Sequence, residues 1–272
     1  MTTPTPRPDP AALLSFPKCG RTWLKLMMKL SFEDGLGLSE LQLDGHRDWH
    51  RTDARLPKLT VEHDDNPHFK AVDELPRDRD RFSDARILLL VRDPRDVMVS
   101  LFFEMTKRTK FYEEWGFDTS RVVEHTEDFS QFIRGPVGRL DTLLAYWSLW
   151  GRARDAVKGF HLVRYEDMHT DAEGTLAGVL DFVGVPATPD VIARAVERCR
   201  FDRMKADEAK NTFESKTLTA ADPQDPESFK VRRGKVGGFV DYLSPGDIAF
   251  IDDRCATLPP FLDCYRKQGE KS

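Results

Sequence analysis

The chain has 272 residues, of which 40% are hydrophobic and 32% are charged, and this ordinary globular composition argues against a disordered protein. Its 41 Lys and Arg against 46 Asp and Glu give a formal net charge of −5, which excludes broad nucleic-acid binding through a basic surface. No apolar run approaches the roughly 18 residues needed to cross a membrane, so we expect no membrane span.

The first part of the chain predicts a strand, a loop, a helix and a second strand. Residues 1–10 are rich in Pro and Thr without an apolar signal core, which favours a flexible N-terminus and a cytoplasmic location. Residues 11–16 are typical of a short buried strand, and apolar residues at helical spacing follow from Trp23. Residues 33–57 show no clear period and predict irregular structure, whereas residues 58–61 predict a brief strand.

The rest of the chain continues the alternation of strands and helices. Residues 86–91 (RILLLV) predict a strand covered on both faces, and residues 160–165 predict another. Helices are expected after Pro94, over 140–157, from a capping box at 170–173 to 183, and over 248–256. Residues 205–238 predict a mobile surface loop. The pattern predicts a single α/β domain over residues 11–272, with a parallel sheet of about four or five strands flanked by helices.

The loop between the first strand and the first helix has the features of a phosphate site. Residues 17–22 (PKCGRT) open a helix, where backbone N–H groups carry partial positive charge. Lys18 adds a full charge and Thr22 adds a hydroxyl donor. The pattern GxxxxGK[ST] cannot be read here, so the loop is P-loop-like without being a Walker A motif. From the residues alone, a polar turn with an exposed lysine explains the segment equally well.

Residues 15–24 (SFPKCGRTWL) resemble the 5′-phosphosulfate loop of cytosolic sulfotransferases, whose pattern is close to YPKSGTTW. That family transfers a sulfuryl group from 3′-phosphoadenosine 5′-phosphosulfate (PAPS) to a hydroxyl or amine and releases adenosine 3′,5′-bisphosphate (PAP). Cys19 replaces the usual Ser, and Arg21 replaces the usual Thr and either adds charge at the 5′ end or points to solvent. The resemblance implies a set of donor-binding residues here: Lys18, Cys19, Gly20, Arg21, Thr22 and Trp23.

A second segment follows the strand at residues 86–91. Arg92 falls at the carboxyl end of that strand, where open α/β sheets bind ligands, and Ser100 lies about two helical turns later. An ordinary surface pair of Arg92 with Asp93 or Asp96 is the alternative. Residues 92–100 are similar to the family's 3′-phosphate pattern R-[DN]-P-[KR]-D-x-x-x-S. The resemblance implies that Arg92 and Ser100 hold the 3′-phosphate.

A third segment, residues 229–238 (FKVRRGKVGG), is similar to the family's FxxRKGxxGDW stretch. The resemblance implies that Arg232, Arg233 and the backbone of Gly234 close over the 3′-phosphate, a contact that suits the planar guanidinium fork. Here Gly238 and Phe239 replace the usual Asp-Trp pair. Without the family, the segment is a basic loop of the kind that is usually solvated.

Aromatic residues are the candidates for holding the adenine. The resemblance makes Trp23 the stacking residue, with Tyr165 and Phe201 as further contacts, Phe201 through the similarity of CRFDRMK to the family's TSFxxMK. By default, an aromatic residue on an apolar helix face is part of the core.

His63 is the candidate base and Lys18 the candidate group that stabilises the leaving oxygen. The unperturbed pKa of histidine lies near neutrality, and the following Asp64 and Asp65 could orient the imidazole. The position resembles that of the family's histidine in a K-x-H pattern, although the lysine is absent. Lys58 or Glu62 are the open candidates for assisting His63. A surface histidine among acids is the alternative.

No metal is expected, because the four cysteines form no CxxC pair and His46, His50 and His68 lack ligand spacing. The resemblance, spread over residues 13–256, implies a PAPS-dependent sulfotransferase that acts by in-line transfer. Its acceptor would be a small-molecule, lipid or glycan hydroxyl or amine, and a homodimer stays open. A kinase-like nucleotide enzyme and a non-catalytic bisphosphate-binding regulator are the alternatives. Aromatic residues that could form an acceptor wall are Phe102, Phe103, Phe111, Tyr112, Trp115 and Phe117.

Overall fold

A parallel sheet forms the centre of the fold in the computed structural model, which describes residues 7–39, 41–122, 128–215 and 218–266. Its order within these ranges is β2-β1-β3-β4, and all neighbouring strands pair in parallel. The strands are β1 (Ala11–Ser15), β2 (Leu59–Glu62), β3 (Arg86–Val91) and β4 (Gly159–Arg164). The expected α/β class with a parallel sheet of about four strands is confirmed.

Burial explains why the two central strands are continuous apolar runs. Every residue of β1 is buried, as are five of the six residues of β3, so neither face of these strands meets water. Leu13 sits in register with Val61 on one side and with Leu88 on the other. The sheet core is therefore built from the segments whose sequence predicted buried strands.

Helices surround the sheet, with α1 packed against α8 and α9, and α6 against α3 and α11. No helix within the described ranges is both long and apolar enough to cross a membrane. The helices are α1 (Arg21–Leu36), α2 (Trp49–Thr52), α3 (Pro94–Lys107), α4 (Thr109–Glu114), α5 (Phe129–Arg134), α6 (Leu140–Ala153), α7 (Tyr165–Thr170), α8 (Ala172–Phe182), α9 (Pro189–Arg198), α10 (Phe201–Lys210) and α11 (Pro245–Cys255).

Each strand ends just before a residue that the sequence marked as a site candidate. Lys18 follows β1 by three residues, and His63, Arg92 and Tyr165 directly follow β2, β3 and β4. Because the strands are parallel, their carboxyl ends lie along one edge of the sheet. The topology therefore gathers four residues, which are far apart in sequence, at one place.

Several helices and strands begin or end at residues other than those predicted from the sequence. The helix predicted over 140–157 ends at Ala153, and Tyr165 opens α7 instead of ending β4. The helix expected from 170 is capped by Asp171, whose carboxylate accepts a hydrogen bond from the Gly174 N–H at 2.9 Å. Residues 33–57 are partly helical, because α1 continues to Leu36 and α2 lies within the stretch.

The prediction of a mobile surface loop over residues 205–238 is wrong for much of this segment. Its first residues belong to α10, and Glu208 accepts hydrogen bonds from the backbone N–H groups of Lys230 and Val231. Arg108 donates to the carbonyl oxygens of Thr219 at 2.8 Å and Ser228 at 2.7 Å. Two buried charged side chains, Glu208 of α10 and Arg108 at the end of α3, therefore hold this segment in place. Residues 216 and 217 lie outside the described residues.

The N-terminal limit of the domain, placed at residue 11 by the sequence, stays a prediction. Asp9, just before it, pairs with Arg86 at 3.2 Å and with Lys158 at 3.1 Å. Residues 1–6 lie outside the described residues.

Candidate active site

A cavity of about 300 Å³ opens at the carboxyl edge of the sheet, between the loop after β1 and the basic segment around residue 233. The structure brings nearly all of the predicted site residues to this cavity, from six separate stretches of the chain. Those that line it are Lys18, Gly20, Arg21, Thr22, Trp23, His63, Arg92, Ser100, Tyr165, Phe201, Arg232, Arg233 and Gly234.

Cys19 is the predicted site residue that does not line the cavity. Its side chain is fully buried in the core, where the thiol lies 4.0 Å from the carbonyl oxygen of Pro17. Burial raises the pKa of this thiol, which is therefore neutral. A contact between Cys19 and a ligand can involve only its backbone, and that contact stays a prediction.

The loop after β1 has a constrained backbone. Lys18 has a φ of 71° and Gly20 a φ of 97°, both in the left-handed region that non-glycine residues rarely adopt. A Cβ atom at Gly20 would lie 2.6 Å from Cδ2 of Tyr165. Glycine is required here because Tyr165, the first residue after β4, packs directly on the loop.

Glu104 is a buried carboxylate that pairs with three cations, two of which line this cavity. Lys18 Nζ lies 2.6 Å from Oε2, Lys230 Nζ lies 2.8 Å from Oε1, and Arg108 Nε lies 3.3 Å from Oε2. The hydroxyl of Tyr112 donates to Oε1 at 3.1 Å. Glu104 was not among the residues predicted from the sequence. A signal was available, because Glu104 lies four residues after Ser100 and so shares its helix face.

The electrostatics of this cluster follow from burial and pairing. Burial lowers the pKa of Lys18 to about 7, although the charge of Glu104 opposes this change. Burial alone would raise the pKa of Glu104, but Lys18, Lys230 and Arg108 hold it well below its usual range. Glu104 is therefore ionised, and Lys18 is a lysine that can lose its proton near neutral pH.

His63 is held in one tautomer by the end of β1. Its Nδ1 lies 2.9 Å from the carbonyl oxygen of Ser15, and a carbonyl can only accept a hydrogen bond. Nδ1 therefore carries the proton, and Nε2 keeps its lone pair. Burial lowers the pKa of His63 well below its ordinary value, and the charge of Arg21 adds to this effect. The imidazole is neutral at pH 7 and can accept a proton at Nε2.

The expectation that Asp64 or Asp65 orients His63 is wrong. Asp64 accepts hydrogen bonds from Arg81 at 2.7 Å and from the indole of Trp150 at 2.9 Å, and Asp65 pairs with Lys70. The reason is the backbone, because Asp64, Asp65 and Asn66 all have left-handed φ values of 48° to 67°. The chain turns sharply after His63 and carries both carboxylates away.

The two candidates for assisting His63 are also placed elsewhere. Glu62 pairs with Arg81 at 2.6 Å. Lys58 is exposed at the start of β2, where its carbonyl accepts a hydrogen bond from the Ala11 N–H. Lys58 thus lies at the opposite edge of the sheet from the cavity.

Arg92 joins the two loops that border the cavity. Its guanidinium donates to the carbonyl oxygens of Lys18 at 3.1 Å and Lys235 at 3.3 Å, and it lies 4.2 Å from the ring centroid of Tyr165. The surface pair weighed as an alternative is present only with Asp96, at 3.6 Å. Arg92 is thus a partly buried cation at the centre of the site.

Two of the other three predicted arginines, Arg232 and Arg233, are paired with carboxylates. Arg232 donates to Glu227 at 2.8 Å and to the hydroxyl of Tyr242 at 2.7 Å. Arg233 donates to Asp241 at 2.6 Å, and both partners of this pair are partly exposed. These carboxylates hold the basic segment in shape and leave both arginines lining the cavity.

Asp96 fixes the glycine-rich turn that follows, and the sequence analysis assigned it no such role. It accepts hydrogen bonds from the N–H groups of Gly237 at 2.8 Å and Phe239 at 3.0 Å. The turn that replaces the family's Asp-Trp pair is therefore tied to the first turn of α3.

Aromatic side chains form one end of the cavity. Trp23 contacts Tyr165 at 5.8 Å and His169 at 4.9 Å between ring centroids. The Phe201 ring, which also lines the cavity, lies against Gly234, since a Cβ added there would be 2.2 Å from Cδ2 of Phe201. His169 is an additional residue of this wall that the sequence analysis missed.

The other end of the cavity is also aromatic, but only in part as predicted. Tyr112, Trp115 and Phe117 line it together with His68. Phe102 instead packs among Phe129 and Phe132 in the core, at centroid distances of 4.1 and 5.2 Å. Within the described residues, no group of three His, Cys, Asp or Glu side chains is arranged to hold a metal ion.

Comparison with known proteins gives a consistent assignment. The sulfotransferase domain family matches residues 8–265. The chain is 25% identical to flavonol 3-sulfotransferase of Flaveria bidentis over 268 residues, covering 90% of this chain and 80% of the relative. It is 26% identical to cytosolic sulfotransferase 17 of Arabidopsis thaliana over 272 residues, covering 90% and 73%.

A solved structure shows the same fold. Mouse sulfotransferase SULT7A1 complexed with PAP superposes with a TM-score of 0.60 at 20% identity, covering 90% of this chain and 82% of that one. The kinase-like and regulator alternatives are not favoured by these matches. The match of nearly the whole described chain to one domain family, on the expected fold, shows that this protein belongs to the family of PAPS-dependent sulfotransferases.

Proposed function

We propose that this enzyme transfers the sulfuryl group of PAPS to the hydroxyl of a small molecule, with His63 as the base and Lys18 stabilising the departing phosphate oxygen. The observation that carries this proposal is the state of His63, a neutral imidazole whose Nδ1 is held by Ser15. Its Nε2 is available in the same cavity that Lys18 and four arginines line, namely Arg21, Arg92, Arg232 and Arg233. A base and a cationic donor site thus meet in one place.

The donor is expected to bind across the ends of β1, β3 and β4. Backbone N–H groups of residues 18–22 and the Lys18 ammonium suit the 5′-phosphosulfate, since they combine a helix N-terminus with a full charge. Arg92, Ser100, Arg232, Arg233 and Gly234 suit the 3′-phosphate. The Arg233–Asp241 pair is partly exposed and contributes little stability. Arg233 can therefore leave the Asp241 carboxylate and bind a phosphate instead.

The adenine is expected to lie between the two aromatic walls at the donor end. Trp23 and Tyr165 form one wall and Phe201 the other. Stacking on aromatic faces contributes about 1–3 kcal/mol per base in nucleic-acid complexes, which sets the scale for this contact.

The transfer step uses both catalytic candidates. The acceptor oxygen forms a bond to sulfur as its proton passes to Nε2 of His63, and the bond between sulfur and the 5′-phosphate oxygen breaks. The negative charge that develops on that phosphate oxygen is stabilised by the Lys18 ammonium. Lys18 must then share its hydrogen bonds between Glu104 and the phosphate, which its three N–H donors permit.

The names of the relatives support narrower proposals. One relative is named for a flavonol, and the wall of Tyr112, Trp115 and Phe117 suits such a flat phenolic acceptor. Another is named cytosolic, which supports a cytoplasmic location. Lipid or glycan acceptors and a homodimer stay predictions.

The test combines binding with turnover. PAP should raise the thermal midpoint of the protein, whereas ATP with magnesium should raise it much less. Sulfur-labelled PAPS incubated with a metabolite extract should yield a labelled product that mass spectrometry identifies. Stabilisation by ATP with magnesium alone, or PAP binding without sulfation of any acceptor, would contradict the proposal.

A further inference from the structure

Arg21 is a largely enclosed cation that has no partner in the part of the chain that the structure describes. It is the first residue of α1, and no hydrogen bond or ion pair to it is found among the described residues. Its Nη1 is shielded from solvent and nevertheless unbonded. This arrangement contradicts the expectation that Arg21 points to solvent. A guanidinium shielded from water without a partner is costly, so a feature of this kind requires an explanation.

The surroundings of Arg21 place its charge at the acceptor end of the cavity. Arg21, His63 and His68 line the same cavity, and the positive charge of Arg21 lowers the pKa of both imidazoles. Burial lowers the pKa of Arg21, and the Tyr112 and Glu62 side chains are among the groups that raise it. Glu62 is already held by Arg81 at 2.6 Å and makes no ion pair with Arg21.

A second unpartnered polar side chain faces the same space. His68 is only 1% exposed, both of its ring nitrogens lack a hydrogen-bond partner among the described residues, and it lines the cavity. Its ring lies 5.5 Å from that of His63 and 5.6 Å from that of Tyr112. Two side chains that can donate hydrogen bonds, Arg21 and His68, therefore line the cavity together with the candidate base and an aromatic wall.

The buried carboxylate of Glu104 is already paired with other cations, so it does not neutralise Arg21. Glu104 is held by Lys18, Lys230 and Arg108, so the cavity keeps an excess of positive charge. Lys230 itself lines the cavity with a partly exposed side chain. The acceptor end thus combines aromatic surface with uncompensated cations.

We propose that the acceptor carries a carboxylate that Arg21 binds, on an aromatic body that packs against Tyr112, Trp115 and Phe117. The acceptor would be a hydroxylated aromatic acid, with its hydroxyl facing His63. The planar guanidinium is suited to a carboxylate because it can donate two parallel, charge-assisted hydrogen bonds. This inference rests on the proposed function, because it names the substrate class of the same site.

The competing role for Arg21 is a contact with the 5′ end of the donor. The two roles make different predictions. A donor contact would make PAP affinity depend on Arg21 for every acceptor, whereas an acceptor contact would change only the discrimination between charged and neutral acceptors.

The experiment measures binding to PAP-saturated enzyme by titration calorimetry. The probes are two matched pairs: 4-hydroxyphenylacetate with its amide, and 4-hydroxycinnamate with its amide. The wild type should bind each acid about tenfold or more tightly than its amide, as expected for a charge-assisted contact. In Arg21→Gln the ratio should fall to near one, and in Arg21→Lys it should be partly restored. Arg152→Gln, at an exposed position outside this cavity, is the control.

The outcomes separate this inference from the proposed function. Acids that bind no more tightly than their amides in both pairs would overturn it, as would a tenfold loss of PAP affinity in Arg21→Gln with the acid preference retained. Sulfation of the amides but not the acids would overturn it and leave the proposed function standing. Absence of PAP binding would refute the proposed function instead. Arg21→Gln should fold, and its thermal midpoint should equal or exceed that of the wild type.

Discussion

The ammonium of Lys18 lies 2.6 Å from the carboxylate of Glu104, although the two residues are separated by 86 positions in the sequence. Both side chains are almost fully buried, at 7% and 3% exposed. The same carboxylate also holds Lys230, so a single residue of α3 joins the loop after β1 to the basic segment. Removing its charge should therefore affect both stability and the protonation of Lys18.

Glu104→Gln should lower the free energy of unfolding by about 3 kcal/mol, because it leaves Lys18, Lys230 and Arg108 buried beside a neutral amide. Urea denaturation monitored by tryptophan fluorescence measures this change. Glu114→Gln, which removes an exposed carboxylate from α4, is the matched control and should change stability by less than about 0.5 kcal/mol. Equal effects of the two substitutions would show that the buried cluster contributes no special stability.

Glu104→Gln should also shift the pH dependence of kcat/KM for PAPS. Burial lowers the pKa of Lys18 to about 7, so kcat/KM for PAPS should fall as the pH rises through that value and the ammonium is lost. Glu104 opposes this effect of burial, and its removal should lower the pKa of Lys18 further. The alkaline limb of the profile should therefore move to lower pH in Glu104→Gln. A limb that stays in place or moves to higher pH would exclude Lys18 as the titrating group.

His63→Asn should reduce kcat by about 10²- to 10⁴-fold, the usual contribution of a general base, with PAP affinity nearly unchanged. Steady-state kinetics and PAP titration measure the two quantities. His161→Asn provides the control, because His161 is a partly buried histidine of β4 that does not line the cavity. A loss of PAP affinity as large as the loss of kcat would indicate that His63 has a structural role instead.

Replacing both Arg232 and Arg233 with Ala should weaken PAP binding by about 10²-fold or more, since each charge-assisted contact contributes about 1.5–3 kcal/mol. Arg233→Ala alone is the cleaner test of the donor contact, because Arg233 loses its partly exposed pair with Asp241, whereas Arg232 contacts both Glu227 and Tyr242. Arg254→Ala on α11, which removes an exposed arginine near Asp141, should leave affinity unchanged. Unchanged affinity in the double variant would remove the basic segment from the donor site.

Gly234→Ala should weaken PAP binding about tenfold or more, because the new Cβ would meet the Phe201 ring at 2.2 Å and push the basic segment away from the cavity. Gly37→Ala is the matched control. Its φ is also positive, at 64°, but nothing lies within 4 Å of the added Cβ, so it carries the backbone strain without the clash. If both variants bind PAP like the wild type, the contact between Phe201 and Gly234 is not needed for the donor site.

Prediction from the sequence succeeded where the signal was local. The run 86–91 predicted a buried strand, and β3 occupies the same residues because continuous apolar surface must be covered on both sides. The helix expected over 248–256 is present as α11, which begins at Pro245 and is capped by Ser244 and Asp247. Candidate site residues that follow a strand directly were placed correctly at the cavity, since parallel strands share one edge.

Prediction failed where a side chain's direction depends on the turn that carries it. Asp64 follows His63 in the sequence, yet the left-handed turn sends it to Arg81 and Trp150. Cys19 lies within the phosphate loop, yet its side chain enters the core. The side chains of adjacent residues in a turn point in different directions. Residues that are neighbours in the sequence were therefore not neighbours in the site.

By itself, the sequence determined the α/β class, the family and most of the residues that line the cavity. These depend on periodicity and on short motifs, which are local properties of the chain. Only the tertiary structure decided which groups pair: Lys18 and Lys230 with Glu104, His63 with the carbonyl of Ser15, and Arg21 with none of the described residues. Pairings of this kind join elements far apart in the chain, and burial then sets whether each group is charged, paired or available.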